Sequence, residues 1–118
     1  MDNNQPMRYA IYARYSSDLQ RQTSIADQIR KCHEFGQSQG WVPVKDCIYT
    51  DEAISGVSTE RPGLQRMLQA ALSPHPVFAI ILVDETSRIS RSLSDAVQLF
   101  NKLHFAGIRV IAVTQAGY

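Results

Sequence analysis

The sequence predicts an α/β domain, a mostly parallel four-stranded sheet with helices on both faces. Three observations predict it. Short segments rich in Ile, Val and Tyr alternate with segments of helical period, in the order β-α-β-α-β-α-β. One of the short segments, VFAIILV, is unbroken apolar, as befits a strand covered on both faces of a parallel sheet. The 118 residues, 44% of them hydrophobic, are enough for one core and too few for two. Right-handed crossovers between parallel neighbours then distribute the helices over both faces.

The first seven residues are polar and are expected to be disordered, leaving 8–118 as the domain. Arg8 to Arg14 reads as the first strand. Ser24, with Asp27 three residues on, opens a helix in the manner of a capping box. Ile25, Ile29, Cys32 and Phe35 or Gly36 share one face of it, and Gly40 closes it. The second strand lies within Trp41 to Thr50, centred on Cys47–Thr50, and DEAISGVSTERPG follows as a loop. Pro62 suits the first turn of a second helix whose apolar face is Leu64, Met67, Leu68, Ala71 and Leu72. SPHP breaks that helix, and Val77 to Val83 is the third strand. Ser92 or Ser94 caps a third helix with Val97, Phe100 and Leu103 inward, ending before Gly107, and Ile108 to Val113 is the fourth strand.

Composition excludes several classes. No apolar run approaches the ~20 residues that span a bilayer, and MDNNQPMRYA lacks the basic-then-apolar pattern of a signal peptide. Two cysteines without metal or disulfide spacing suit a reduced, cytoplasmic setting. No glycine-rich phosphate loop is present, and neither a cofactor nor a metal is expected. The net charge of +1 is unlike that of a strongly basic nucleic-acid binder. However, nine of the twelve basic residues are Arg, whose planar fork matches phosphate oxygens bidentately.

In such sheets the chemistry lies beyond the carboxyl ends of the strands, near a switch in strand order. Arg14, Tyr15, Ser16, Ser17 and Asp18 stand beyond the first strand, and Asp51, Glu52 and Arg61 beyond the second. Asp84, Glu85, Ser87, Arg88 and Arg91 stand beyond the third. A serine hydroxyl needs activation, but His33 and His104 fall inside helices and His75 at the opposite end of the third strand, so a Ser-His-Asp triad is not expected. Arginines around Ser16 would instead favour its alkoxide and neutralise the charge of a pentacoordinate phosphorus without a metal. Arg88 and Arg91, three apart at a helix start, would clamp neighbouring phosphate oxygens. Asp51, an acid among these bases, suits orienting an Arg or managing a proton. The reaction class is phosphoryl transfer by a serine nucleophile. Singly, each residue also has an ordinary reading: loop arginines are mostly solvated, Ser-Ser after a strand caps or turns, and Gln28 alone is a surface helix residue. Their convergence on one sheet edge is what favours function. Arg8, Arg30, Arg66 and Arg109 receive no functional assignment.

These residues also carry a resemblance. YARYSSDLQRQTSIADQ resembles the opening of the serine recombinase (resolvase/invertase) catalytic domain, DEAISGVSTERPGLQRML its second block and VDETSRISRS its third. The three blocks occur in order from about Arg8 to Val113, and their wording is most similar to the large serine recombinases of phages and mobile elements. The resemblance implies a resolvase catalytic-domain fold and a site-specific DNA recombinase in which Ser16 forms a 5′-phosphoserine link, with neither ATP nor a metal. By position, Arg14, Arg88 and Arg91 match the family's phosphate-binding arginines and Arg61 a fourth. Asp51 matches the active-site acid, Gln28 the supporting glutamine, and Ser17 a neighbouring hydroxyl.

Two departures stand out. Many members carry an acid immediately before the first Arg of the third block, where this chain has Ser87. The proton-handling role then falls to Asp51 or Asp84, or Ser87 suffices by hydrogen bonding. The family's domain also continues into a long helix for dimer and tetramer contacts, then DNA-binding domains. The chain is accordingly expected to be a truncated piece of a bacterial or phage-encoded, nucleoid-associated protein, inactive by itself. Its partners would be DNA, bound mainly by regions outside the chain, and further copies of the protein. The first rival is a phosphoacceptor receiver domain with Asp84 as acceptor, which would need Mg²⁺-binding acids where Arg14-Tyr15-Ser16 stands. The second is a non-catalytic DNA-bridging or assembly module.

Overall fold

The computed structural model describes residues 6–16, 24–53, 61–89 and 93–115. Four strands, β1 (Arg8–Ser16), β2 (Val42–Ala53), β3 (Ile80–Val83) and β4 (Arg109–Ala112), alternate with three helices. These are α1 (Ile25–Ser38), α2 (Pro62–Ala71) and α3 (Leu93–Phe105), with short 3₁₀ turns at Thr86–Arg88 and Val113–Gln115. The strands form one parallel sheet in the order β2-β1-β3-β4, so the described strands bear out the predicted architecture. The chain runs outward from β1 to β2, then crosses back over β1 to β3, which places the switch in strand order between β1 and β3.

The alternation of β1 divides the core. Tyr9 and Ile11 pack with Ile80, Leu82 and the α1 residues Ile29, Cys32 and Phe35 on one face. Ala10 and Tyr12 join Ile81, Val83, Met67 and Ala71 of α2 and Leu103 of α3 on the other. Each fully buried large apolar side chain of these two layers contributes roughly 1.5–3 kcal/mol.

The caps act as the sequence predicts. Ser24 Oγ accepts from Asp27 N at 3.1 Å. At the other end of α1, Gly40 takes φ +81°, Gly40 N donates to Gln37 O and Trp41 N to Gly36 O. That pair of bonds is a Schellman closure, sealed by the edge-on contact of Phe35 with Trp41 at 5.9 Å. Of the segment expected to be disordered, residues 1–5 lie outside the described residues, and the carbonyl of Met7 accepts from Val42 N.

Several elements differ from expectation. β2 spans twelve residues because its pairing with β1 jumps from Tyr9↔Pro43 to Ile11↔Ile48. The intervening residues bulge, and Val44 and Cys47 still fill the α2 side of the core. It also takes in Asp51, Glu52 and Ala53, which the sequence assigns to the loop. β3 is shorter than Val77–Val83: Val77 precedes the sheet and is 52% exposed. In α3 the inward line is Ala96, Leu99, Phe100 and Leu103, so Val97 faces solvent. Leu72 lies just past the end of α2 and is exposed as well. Ser94 falls inside α3, and the alternative cap Ser92 lies outside the described residues. Among the described residues no helix is long and apolar enough to cross a membrane.

The first turn of α2 sits directly on β2. A Cβ at Gly63 would stand 2.3 Å from Thr50 O and 3.1 Å from Asp51 Oδ1. Both neighbours are fixed by the sheet or its bonds, so Gly63→Ala must push the helix off the strand. The expected loss of stability is about 1–3 kcal/mol, read as a lower urea midpoint at unchanged slope. An unchanged midpoint would mean that α2 has room to shift.

Candidate active site

The edge formed by the carboxyl ends of β1, β2 and β3 gathers the described members of the predicted set. Ser16 is the last residue of β1, the central strand at the switch point, in register with Ala53. Arg14, two residues earlier, is in register with Asp51. Gln28 is fully buried, against the ordinary reading of it as a surface residue. It lies in the first turn of α1, and its amide grips the Arg14 peptide from both sides: Oε1 accepts from Arg14 N at 3.0 Å and Nε2 donates to Arg14 O at 2.9 Å. This bond pair fixes the backbone of β1 two residues before Ser16.

Asp51 is 7% exposed and accepts three hydrogen bonds. Oδ1 takes Gly63 N at 2.7 Å, while Oδ2 takes Leu64 N at 2.9 Å and Tyr12 OH at 2.7 Å. Arg61, at the N-cap position of α2, makes no side-chain cap bond. The carboxylate of Asp51 caps the helix from the strand, satisfying free N–H groups at the positive end of its dipole.

Arg61 lies across the same network. Its Nε and Nη2 donate to Tyr12 OH at 3.3 and 3.0 Å, and its guanidinium lies 5.5 Å from the centre of the Tyr12 ring. Its Nη1 and Nη2 also donate to the carbonyls of Ile89 and Arg88. Asp51 therefore orients Arg61 through Tyr12, and Arg61 ties the end of α2 to the turn beyond β3.

Arg88 does not begin α3. It closes the 3₁₀ turn Thr86–Arg88 and is 5% exposed, with Nη2 3.0 Å from Asp84 Oδ2 and 3.3 Å from Glu85 Oε2. Arg91, Ser17 and Asp18 lie outside the described residues, so the predicted Arg88–Arg91 pairing does too. Ser87 stands within the 3₁₀ turn.

The sequence reading missed Tyr12. Its period-2 spacing from Arg14 in a central strand was the available signal, because a buried phenol must find a partner. Burial pushes the Tyr12 phenol above its ordinary range; the Arg61 charge pulls it down, and the hydrogen bond to Asp51 adds to the rise. With the folded value above the unfolded one, its contribution to stability is intact below about pH 10 and is lost as the pH rises beyond. In an alkaline absorbance titration, the wild-type minus Tyr12→Phe difference should show a phenol ionising above the ordinary tyrosine range. A difference curve centred on the ordinary tyrosine range would refute this assignment.

Other candidate nucleophiles are poorly disposed. Cys32 is fully buried, and burial pushes its thiol up to about 12. His33 Nδ1 is paired with Tyr9 OH at 2.9 Å, on the α1 side. Among the described residues no group of three or more His, Cys, Asp and Glu is placed to hold a metal ion.

Comparison with known proteins places the fold. No curated protein sequence matches the chain. Among solved structures, the N-terminal catalytic domain of TP901-1 integrase is 29% identical, with 92% of this chain and 78% of that one covered at a TM-score of 0.75. The C-terminal catalytic domain of ISC1926 TnpA, an IS607-like serine recombinase, shares the fold at 23% identity and a TM-score of 0.73, covering 93% of this chain and 72% of that one. The family description "Resolvase, N terminal domain" matches residues 9–118. With nearly its whole length matched, the chain belongs to the resolvase N-terminal domain family of site-specific recombinases.

Proposed function

We propose that the chain is the catalytic domain of a serine-type DNA recombinase in which Ser16 is the nucleophile. Its Oγ attacks a DNA phosphodiester: the Oγ–P bond forms, the P–O3′ bond breaks, the hydroxyl proton leaves and the 3′ oxygen gains one. The product is a 5′-phosphoserine link and a free 3′-hydroxyl. Attack by a 3′-hydroxyl on that link reverses the step and reseals the strand, with the bond energy retained in the covalent intermediate.

The observation that carries this reading is the position of Ser16 at the end of the central strand, at the switch point, with its backbone approach fixed by the Gln28 grip on Arg14. Arg14, Arg88 and Arg91 would bind the phosphate oxygens and stabilise the pentacoordinate phosphorus. Arg61 would stand behind them, held by Tyr12 and by Asp51 through it. In this reading the chain is one part of a longer protein whose remaining parts bind DNA and assemble dimers into a tetramer, and alone it does not recombine DNA.

Covalent capture tests the proposal. The full-length protein is incubated with duplex DNA carrying its element's end, denatured and digested, and serine peptides are searched by mass spectrometry for a phosphonucleotide. An adduct on Ser16 is expected. Site binding without an adduct under trapping conditions would instead favour a non-catalytic assembly role.

A further inference from the structure

Asp84 is the first residue past β3 and is 2% exposed. Its main chain is anchored by the segment that follows β4: Thr114 N and Oγ1 both donate to Asp84 O, at 3.1 and 2.7 Å. Its carboxylate meets Arg88 through one bond, Nη2 to Oδ2 at 3.0 Å. Glu85 approaches the same nitrogen at 3.3 Å, but its side chain is 46% exposed, so Asp84 is the buried counter-charge. The pair is incomplete in a specific way. Asp84 Oδ1 and Arg88 Nε are both buried, and neither has a hydrogen-bond partner among the described residues.

A carboxylate and a guanidinium serving only as a lock would meet through two parallel bonds. The single bond from Nη2 ties the buried guanidinium to the end of the strand. A phosphodiester oxygen is an acceptor of the right charge for a guanidinium held there. The residue immediately before Arg88 is Ser87, so this carboxylate comes from the strand end, four residues earlier.

Resting on the reading of Arg88 as a phosphate ligand, we propose that Asp84 is its positioning residue. Asp84 holds the guanidinium at the β3 end of the site through Nη2. Thr114 in turn fixes Asp84, so the end of β4 supports the arginine.

The test is a double-mutant cycle in the full-length recombinase, on the duplex that yields the wild-type adduct. Asp84→Asn should slow adduct formation on the order of tenfold while leaving DNA affinity within about twofold, the pattern of a lost supporting partner. In an Arg88→Ala background the same substitution should add nothing, because its effect passes through Arg88. Asp84→Glu, which keeps the charge, should recover most of the rate. It also carries the test if Asp84→Asn does not fold: its smaller loss must likewise vanish without Arg88. A full loss persisting in Arg88→Ala, or a wild-type rate for Asp84→Asn, overturns the positioning role. If Arg88→Ala itself leaves the rate unchanged, the phosphate-binding reading of Arg88 fails, and the role of Asp84 falls with it.

Discussion

Ser16→Ala is expected to abolish DNA cleavage, with adduct formation lowered on the order of 10⁴–10⁶-fold, the scale of removing a covalent nucleophile. Binding of the DNA site should persist, because the arginines that would carry the phosphate remain and one methyl-sized change at the end of β1 leaves the sheet pairing intact. The neighbouring hydroxyl makes the comparison sharp. By its place in the sequence Ser17 matches only the hydroxyl beside the family's nucleophile. Ser17→Ala should therefore retain the adduct. Gel separation of covalent complexes after denaturation reads both variants. A Ser16→Ala protein that still cuts would move the nucleophile elsewhere in the chain. Cys32 is a poor substitute, since burial pushes its thiol up to about 12.

The site was legible where chemistry follows local order, and illegible where it depends on the register of separate elements. Ser24, Gly40 and Pro62 punctuate helices by their own backbone preferences, so α1 and α2 could be placed from the sequence. The strand ends then assembled Ser16, Arg14, Asp51, Arg61 and Arg88 on one edge before any contact was known. Gln28 shows the limit. It lies three residues after Ile25 and four before Cys32, on the inward face of α1, but a glutamine is read as solvated until the Arg14 peptide is seen beside it. The bulge in β2 is likewise a tertiary matter, set by how an edge strand follows β1 while Val44 and Cys47 remain in the core. The sequence places Arg88 at a helix start, but Asp84, four residues before it, is its buried ion-pair partner. The pairing of the two gives that segment its own 3₁₀ turn.

Asp51→Ala is expected to give the largest loss of stability, about 3–5 kcal/mol, the range for removing one partner from a buried, charge-assisted network. Its carboxylate is the acceptor for two N–H groups of α2 and for the Tyr12 hydroxyl, and alanine leaves all three donors facing a gap. The helix dipole loses its counter-charge as well. Against a typical domain stability of about 5–15 kcal/mol, that is a large fraction of the whole. Asparagine should rescue little. If its amide nitrogen takes the Oδ2 position it meets Leu64 N–H, and if it takes the Oδ1 position it meets Gly63 N–H; either way a donor faces a donor. Urea denaturation of both variants should therefore show midpoints well below wild type, with Asn closer to Ala than to Asp. A carboxylate acting mainly in proton transfer would give the opposite pattern, with near-native stability for Asp51→Asn and a loss confined to the rate. In the capping geometry stability falls first, and Arg61, deprived of an oriented Tyr12 but still bound to the carbonyls of Arg88 and Ile89, should lose only part of its placement.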